Sequence, residues 1–198
     1  MRKIGITGGV GSGKSLVLAH LERDYHAAIF QADLIAHQVQ LPGEVCYREV
    51  LSNFGRGILR EDGLIDRKKL GDIVFADSGK LRLLNSIVHP AVNRRIREIM
   101  DEEEKKESNM FVLEAALLTD KIYREILDEI WYIHVVEPVR RERLMISRGY
   151  SKERIEQIFT SQPPEAVFFD ACDYVIENSG EFEDTCRQIS LRLAGKQP

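Results

Sequence analysis

The residues best equipped for chemistry stand near the start of the chain, in the run GITGGVGSGKS from Gly5 to Ser15. Gly8, Gly13, Lys14 and Ser15 meet the spacing G-x-x-x-x-G-K-[ST], with Gly9 and Gly11 between them. This order of residue types suits an anion. Backbone N–H groups of Gly9, Gly11, Ser12 and Gly13, and the start of a helix running through Leu16, can turn toward a phosphate. The Lys14 ammonium adds a mobile cation beside the β and γ oxygens, and the Ser15 hydroxyl suits Mg²⁺. A diphosphate or triphosphate fits such a cradle.

A second candidate is Asp33, in the run IFQADLIAHQV, where an apolar stretch gives way to a helical pattern. Its carboxylate has two readings. One is a helix cap, worth about 1 kcal/mol. The other is a base that orients an attacking hydroxyl and takes its proton as the new P–O bond forms, which a carboxylate near pKa 4 can do although it cannot ionise an alcohol outright. His37, four residues on, shares the helix face and reads either as an acceptor contact or as plain surface. A third candidate is the basic run PVRRERLMISRGYSKERIEQIFTSQ, with Arg140, Arg141, Arg143 and Arg148. Gly149 divides it into two helices. The run is either a solvated, salt-bridged hairpin or a lid whose arginines, Arg140 and Arg143 first among them, neutralise charge on a transferring phosphoryl group while excluding water.

The elements that must position these groups follow from the apolar pattern. Residues 3–7, 27–31, 110–114, 130–136 and 173–176 are short, apolar and often β-branched, with helical stretches between them. Such alternation predicts an α/β fold with a parallel sheet covered on both faces and ligands at the carboxyl ends of the strands. Roughly 75 residues separate the second and third strands, too long for a simple crossover. Helical patterns at residues 44–54, 66–76 and 79–106 predict an inserted helical subdomain there.

Composition bounds the function. With 198 residues, 43% hydrophobic and 30% charged, the chain suits one compact domain. A net charge of −4 argues against nucleic acid or an anionic membrane as the main partner. Cys46, Cys172 and Cys186 lack CxxC spacing, which argues against a disulfide framework or a zinc site and for a reducing compartment. No apolar run follows Arg2 and Lys3, and none reaches transmembrane length, so a cytoplasmic location is expected.

Taken together, the runs IGITGGVGSGKS, ADLIAHQVQLPG, FGRGIL, DGLIDRKKLGDIVF, IVHPAV and DYVIENSG resemble, in order and spacing, the dephospho-coenzyme A kinase family over nearly the whole chain. The resemblance implies a P-loop NTPase three-layer fold with a parallel five-stranded sheet, a helical acceptor-binding insertion and a helical lid. It implies one kinase domain over residues 1–198, with core segments at about 1–43, 108–137 and 166–198, the insertion at about 44–107 and the lid at about 138–165. The activity it implies is transfer of the γ-phosphoryl group of ATP, with Mg²⁺, to the ribose 3′-hydroxyl of dephospho-coenzyme A, the final step of coenzyme A synthesis. Asp33 then matches the family's catalytic aspartate, acting with Lys14, Arg140 and Arg143. Asn178 and Gly180 fall where the family contacts adenine, and Thr7, His37, Asp66, Arg67, His89 and Leu117 fall on the acceptor side. On the residues alone, Asp66-Arg67 reads as a helix N-terminus, His89-Pro90 as a helix start and Asn178 as a turn former.

The chain departs from the family pattern at several positions. Leu16 stands where threonine is usual, although Ser15 still offers the metal hydroxyl. Gln31 replaces a frequent aspartate, leaving Asp33 as the one carboxylate there. Glu114, Ala116 and Asp120 stand where the family tends to have aspartate, proline and glutamate, and Glu114 can still hold a metal-bound water. In the lid, Ser147 occupies the place of an expected arginine, with Arg148 beside it. Two rival readings are a nucleoside or nucleotide kinase of the same architecture and a non-catalytic ATP-binding regulator. The long insertion, with DGLIDR and His89-Pro90, opposes the first; Asp33 and the arginine-bearing lid oppose the second. Monomer and homo-oligomer are equally open.

Overall fold

Parallel strands with both faces covered must be apolar on both sides, and five stretches of the chain form them. They are β1 (Arg2–Thr7), β2 (Ala28–Gln31), β3 (Met110–Glu114), β4 (Glu129–His134) and β5 (Tyr174–Glu177). In the computed structural model, which describes residues 1–119 and 121–195, they form one sheet in the order β2-β3-β1-β4-β5. β1 pairs in parallel with β3, Arg2 opposite Met110, and with β4, Ile4 opposite Glu129; β4 pairs in parallel with β5, Trp131 opposite Tyr174. β2 and β3 lie on one side of β1 and β4 and β5 on the other, so the strand order reverses beside β1, at whose carboxyl end the glycine-rich run begins.

The helices in chain order are α1 (Lys14–Tyr25), α2 (Ala32–Gln38), α3 (Val45–Phe54), α4 (Arg67–Phe75), α5 (Ser78–Lys105), α6 (Lys121–Ile126), α7 (Glu137–Arg148), α8 (Lys152–Ser161), α9 (Glu165–Ala171) and α10 (Phe182–Leu193). The chain divides into two compact units, Met1–Ile29 with Lys106–Pro198, and Phe30–Lys105. Asp120 lies outside the described residues. Among the described residues no helix is long and apolar enough to cross a membrane.

In the first unit, Ile4, Ile6, Val112, Trp131, Ile133 and Ile176 pack beneath Val17, Leu18 and Leu21 of α1 and Ile189 of α10. On the other sheet face Tyr132 stacks on Phe168 of α9, with ring centroids 5.1 Å apart. β4 ends at His134, two residues short of the expected bound, because Val136 is already the N-cap of α7 and Pro138 stands in that helix's first turn.

At the opposite edge, buried Glu129 accepts from Arg2 Nε at 2.9 Å and from Arg192 Nε at 2.7 Å. Burial alone would raise its carboxyl, but the neighbouring Trp131 and the hydrogen bonds from Arg2 and Arg192 outweigh it and hold the group below its ordinary value of 4.5. A carboxyl depressed by folding stabilises the fold above its unfolded pKa, and this stabilisation is lost as pH falls through the lower folded value. The melting temperature should therefore drop as pH falls below the ordinary value of 4.5. Glu129→Gln should melt lower at pH 7, its two arginines having lost their anion, and should show a flatter acid slope. Thermal melts across pH decide this, and an equally steep slope in the variant would contradict it.

The second unit is built on α5. Ala91, Val92, Ile96 and Met100 are buried along it, as are Ile35 of α2, Cys46 and Val50 of α3, and Leu70 and Val74 of α4, the three helices packed on α5. The run DGLIDR makes a reversal. Asp62 Oδ1 accepts from Leu64 N, Gly63 takes a left-handed φ of 79°, and Arg60 N donates to the Leu64 carbonyl. Asp66 then caps α4, accepting from the N–H groups of Lys68 and Lys69 at 3.0 and 3.2 Å. His89-Pro90 does not start a helix. α5 begins at Ser78, where Asp77 accepts from Gly79 N and Lys80 N, and Pro90 lies inside it. The missing N–H breaks one ladder bond, while the apolar stripe C-terminal to it keeps the helix packed.

Candidate active site

The cradle read from the sequence is present in the first unit. β1 delivers the chain to Gly8, and α1 begins at Lys14 with Gly13 as its N-cap in the left-handed region, φ 83°. A side chain at Gly13 would be strained there and would collide with Asn178 Nδ2, so only glycine fits. No acidic residue stands in the first turn of α1, which leaves the positive end of the helix available to an anion. Lys14 Nζ donates to the Gly8 carbonyl at 2.6 Å and lies 3.7 Å from Glu114 Oε1 at the end of β3. Ser15 and Leu16 lie on the first turn of α1, Leu16 exposed. Ser12 is 2% exposed, and its Oγ finds no hydrogen-bond partner among the described residues, an orphaned polar group inside the loop.

Asn178, at the end of β5, braces this loop from behind. It is buried; its Nδ2 donates to the Ser12 carbonyl at 2.7 Å and its Oδ1 accepts from Thr185 Oγ1 at 2.8 Å. It is thus a bolt between β5, α10 and the phosphate loop rather than a simple turn former, while Gly180, two residues on, is exposed. Thr7 is fully buried and its Oγ1 donates to the Ala116 carbonyl at 3.0 Å, so its hydroxyl holds the segment after β3, where Leu117 is half-buried.

α7 lays its arginines against the loop. Arg140 Nε donates to the Val10 carbonyl at 3.0 Å, and a Cβ on Gly9 would collide with Arg140 Nη2, so the bare backbone of Gly9 makes room for a guanidinium. Burial pulls the Arg140 guanidinium below its usual range, partly offset by Tyr132, Glu165 and Glu137; it stays charged at any working pH. Arg143 also reaches the loop, its Nη1 standing 3.7 Å from where a Cβ on Gly13 would be. Arg141 points elsewhere, pairing with Glu137 at 2.7 Å and Glu156 at 2.8 Å. The hairpin is salt-bridged through Arg141, while Arg140 turns to the loop. Arg148 is exposed next to Gly149, the left-handed C-cap of α7.

In the second unit Asp33 sits in the first turn of α2 and is exposed. It is not the cap: Gln31 holds that position, and no side-chain capping bond is made. His37 lies one turn further. With Asp66, Arg67, Arg60 and Lys68 it lines a cleft of about 310 Å³ whose apolar wall includes Leu41 and Leu64. His89 is exposed on α5 and is not part of that lining.

Residues 2–184 match the family model described as dephospho-CoA kinase. The chain belongs to the dephospho-CoA kinase family. It is 41% identical over 189 residues to the dephospho-CoA kinase of Aquifex aeolicus, covering 96% of this chain and 94% of that one. It is 40% identical over 186 residues to the dephospho-CoA kinase of Carboxydothermus hydrogenoformans, covering 94% and 90%. A crystal structure of TT1252 from Thermus thermophilus superposes with a TM-score of 0.76 at 31% identity, over 98% of this chain and 97% of that one. Family membership carries the P-loop kinase architecture with it and does not favour the nucleoside kinase or the regulator.

Some contacts around these residues escaped the sequence reading. Phe159 of α8 and Gln162 at its C-cap contact Arg140, and His134 joins two carboxylates, Nε2 to Glu165 at 2.9 Å and Nδ1 to Glu177. His134 could have been suspected from its place at the carboxyl end of a strand. Phe159 and Gln162, the latter just past the end of α8, carried no comparable signal.

Proposed function

We infer that the protein transfers the γ-phosphoryl group of ATP to the 3′-hydroxyl of the ribose of dephospho-coenzyme A, releasing ADP and coenzyme A. The observation that carries this reading is an intact phosphate cradle with an arginine pressed on Gly9, in a chain that belongs to this family along nearly its full length. The acceptor oxygen bonds to the γ-phosphorus as the bridge oxygen leaves with ADP, and the hydroxyl proton passes to Asp33. Lys14, Arg140 and Arg143 balance the charge on the phosphate oxygens, and Gly180 belongs to the adenine side. Thr7 acts through the Ala116–Leu117 segment, while His37, Asp66, Arg67 and His89 belong to the acceptor side.

Mg²⁺ fits these residues. Among the described residues no cluster of three His, Cys, Asp or Glu could cage a metal, and Mg²⁺ needs none, since it keeps waters and leans on substrate phosphates. Ser15, directly, and Glu114, through water, would hold it, and it would supply charge neutralisation between the β and γ oxygens. The thiols of Cys46, Cys172 and Cys186 are unpaired, which supports a reducing cytoplasmic setting.

The test is ADP formation with Mg²⁺ and ATP across an acceptor panel of dephospho-coenzyme A, nucleosides and nucleoside monophosphates. Turnover confined to dephospho-coenzyme A is expected. Turnover with a nucleoside instead would mean that the Phe30–Lys105 unit has been misread.

A further inference from the structure

The guanidinium of Arg140 is held by three contacts. Its Nε donates to the Val10 carbonyl at 3.0 Å, its Nη2 donates to Gln162 Oε1 at 2.5 Å, and its Cζ lies 4.4 Å from the centroid of the Phe159 ring. All three partners are electrically neutral. Two N–H donors are thereby engaged, and three of the five that a guanidinium carries are left to an incoming ligand. No carboxylate lies within ion-pair distance of Arg140 among the described residues, although Glu137, Glu156 and Glu165 line the same cleft. Arg141, one residue on, shows the alternative: its charge is tied to Glu137 and Glu156, and its Cζ rests 4.7 Å from the same Phe159 ring.

We propose that Gln162 and Phe159 are positioning residues for phosphoryl transfer, holding the Arg140 guanidinium against Gly9 and Val10 without neutralising it. Gln162 is the C-cap of α8, immediately before Pro163-Pro164, so its backbone is anchored where the lid returns to the core. A glutamine there orients the cation and leaves its charge intact. A glutamate would orient it equally well and cancel its charge, and an apolar residue would release it toward the carboxylates of the cleft. Phe159 adds a face on which the guanidinium lies and separates Arg140 from Arg141. The lid thus divides the labour of two adjacent arginines, one fastening the hairpin and the other kept unpaired for an anion.

This inference rests on the kinase reading above, and its test separates the two. Gln162→Leu, Gln162→Glu and Phe159→Leu are compared with the parent protein, each alone and combined with Arg140→Lys, by steady-state kinetics with ATP and dephospho-coenzyme A. The expected result is a kcat lower by roughly 10- to 100-fold in each single variant, the scale of a misplaced or neutralised catalytic group. KM for dephospho-coenzyme A and the melting temperature should stay near the parent's. In the Arg140→Lys background the same changes should have little further effect, because the group they position is gone; a merely structural role would give additive losses. A parent protein that turns over dephospho-coenzyme A while Gln162→Leu and Gln162→Glu keep its kcat would overturn the proposal. A parent protein with no such turnover would instead overturn the kinase reading. Should Gln162→Leu fold poorly, Gln162→Glu, which keeps size and hydrogen bonding, decides the matter alone.

Discussion

Lys14→Ala is expected to lower kcat by roughly 10²- to 10³-fold, the usual loss when a preorganised charge aimed at a developing anion is removed. The ammonium stands at the head of α1, 2.6 Å from the Gly8 carbonyl, inside a loop whose shape is set by glycines and by the brace from Asn178. The variant gives up the bond to the Gly8 carbonyl but keeps the glycines and the Asn178 brace, so it should fold and still bind nucleotide weakly through backbone N–H groups. The loss should therefore fall mainly on turnover at saturating ATP, with calorimetry showing residual ATP binding. Near-parental turnover would place the reacting phosphate somewhere other than this loop.

Asp33→Asn is the second large effect, a fall in kcat of about 10² or more, as expected for a positioned base. The structure removes the competing explanation. Gln31, not Asp33, occupies the cap of α2, and the Asp33 carboxylate makes no capping bond, so asparagine at this exposed position should change stability by no more than about 0.5 kcal/mol. KM for both substrates should move little, since the amide keeps the size of the side chain and can still accept a hydrogen bond from the acceptor hydroxyl. A variant with parental kcat would reduce Asp33 to an ordinary solvent-facing carboxylate.

Much of this was legible in the sequence because it is local. The glycine-rich run fixes its own backbone, Gly149 ends α7 in a left-handed turn as the composition demanded, and five short apolar stretches had few options other than buried parallel strands. What could not be read is what joins distant residues. Asn178 reaches Ser12 across 166 positions, and its neighbours suggested only a turn. Glu129, between Arg2 and Arg192, looks in sequence like an ordinary charged residue before a strand. Pro90 misled for the opposite reason: a local rule for helix starts was overridden by the packing of a long helix against three others. In the α7–α8 hairpin, sequence could count arginines but could not say which was paired. That difference between Arg140 and Arg141 depends on where Glu137, Glu156 and Gln162 fall after the hairpin folds.

The measurement closest to the central claim is identification of the product. The purified protein is incubated with Mg²⁺, ATP and dephospho-coenzyme A, and the new compound is resolved by liquid chromatography with mass detection and treated with a nucleotidase specific for 3′-phosphates. The account predicts one product that co-elutes with coenzyme A, forms in equal amount to ADP and returns to dephospho-coenzyme A on nucleotidase treatment. ADP formed without any phosphorylated acceptor, or a phosphate that resists the 3′-specific enzyme, would contradict it.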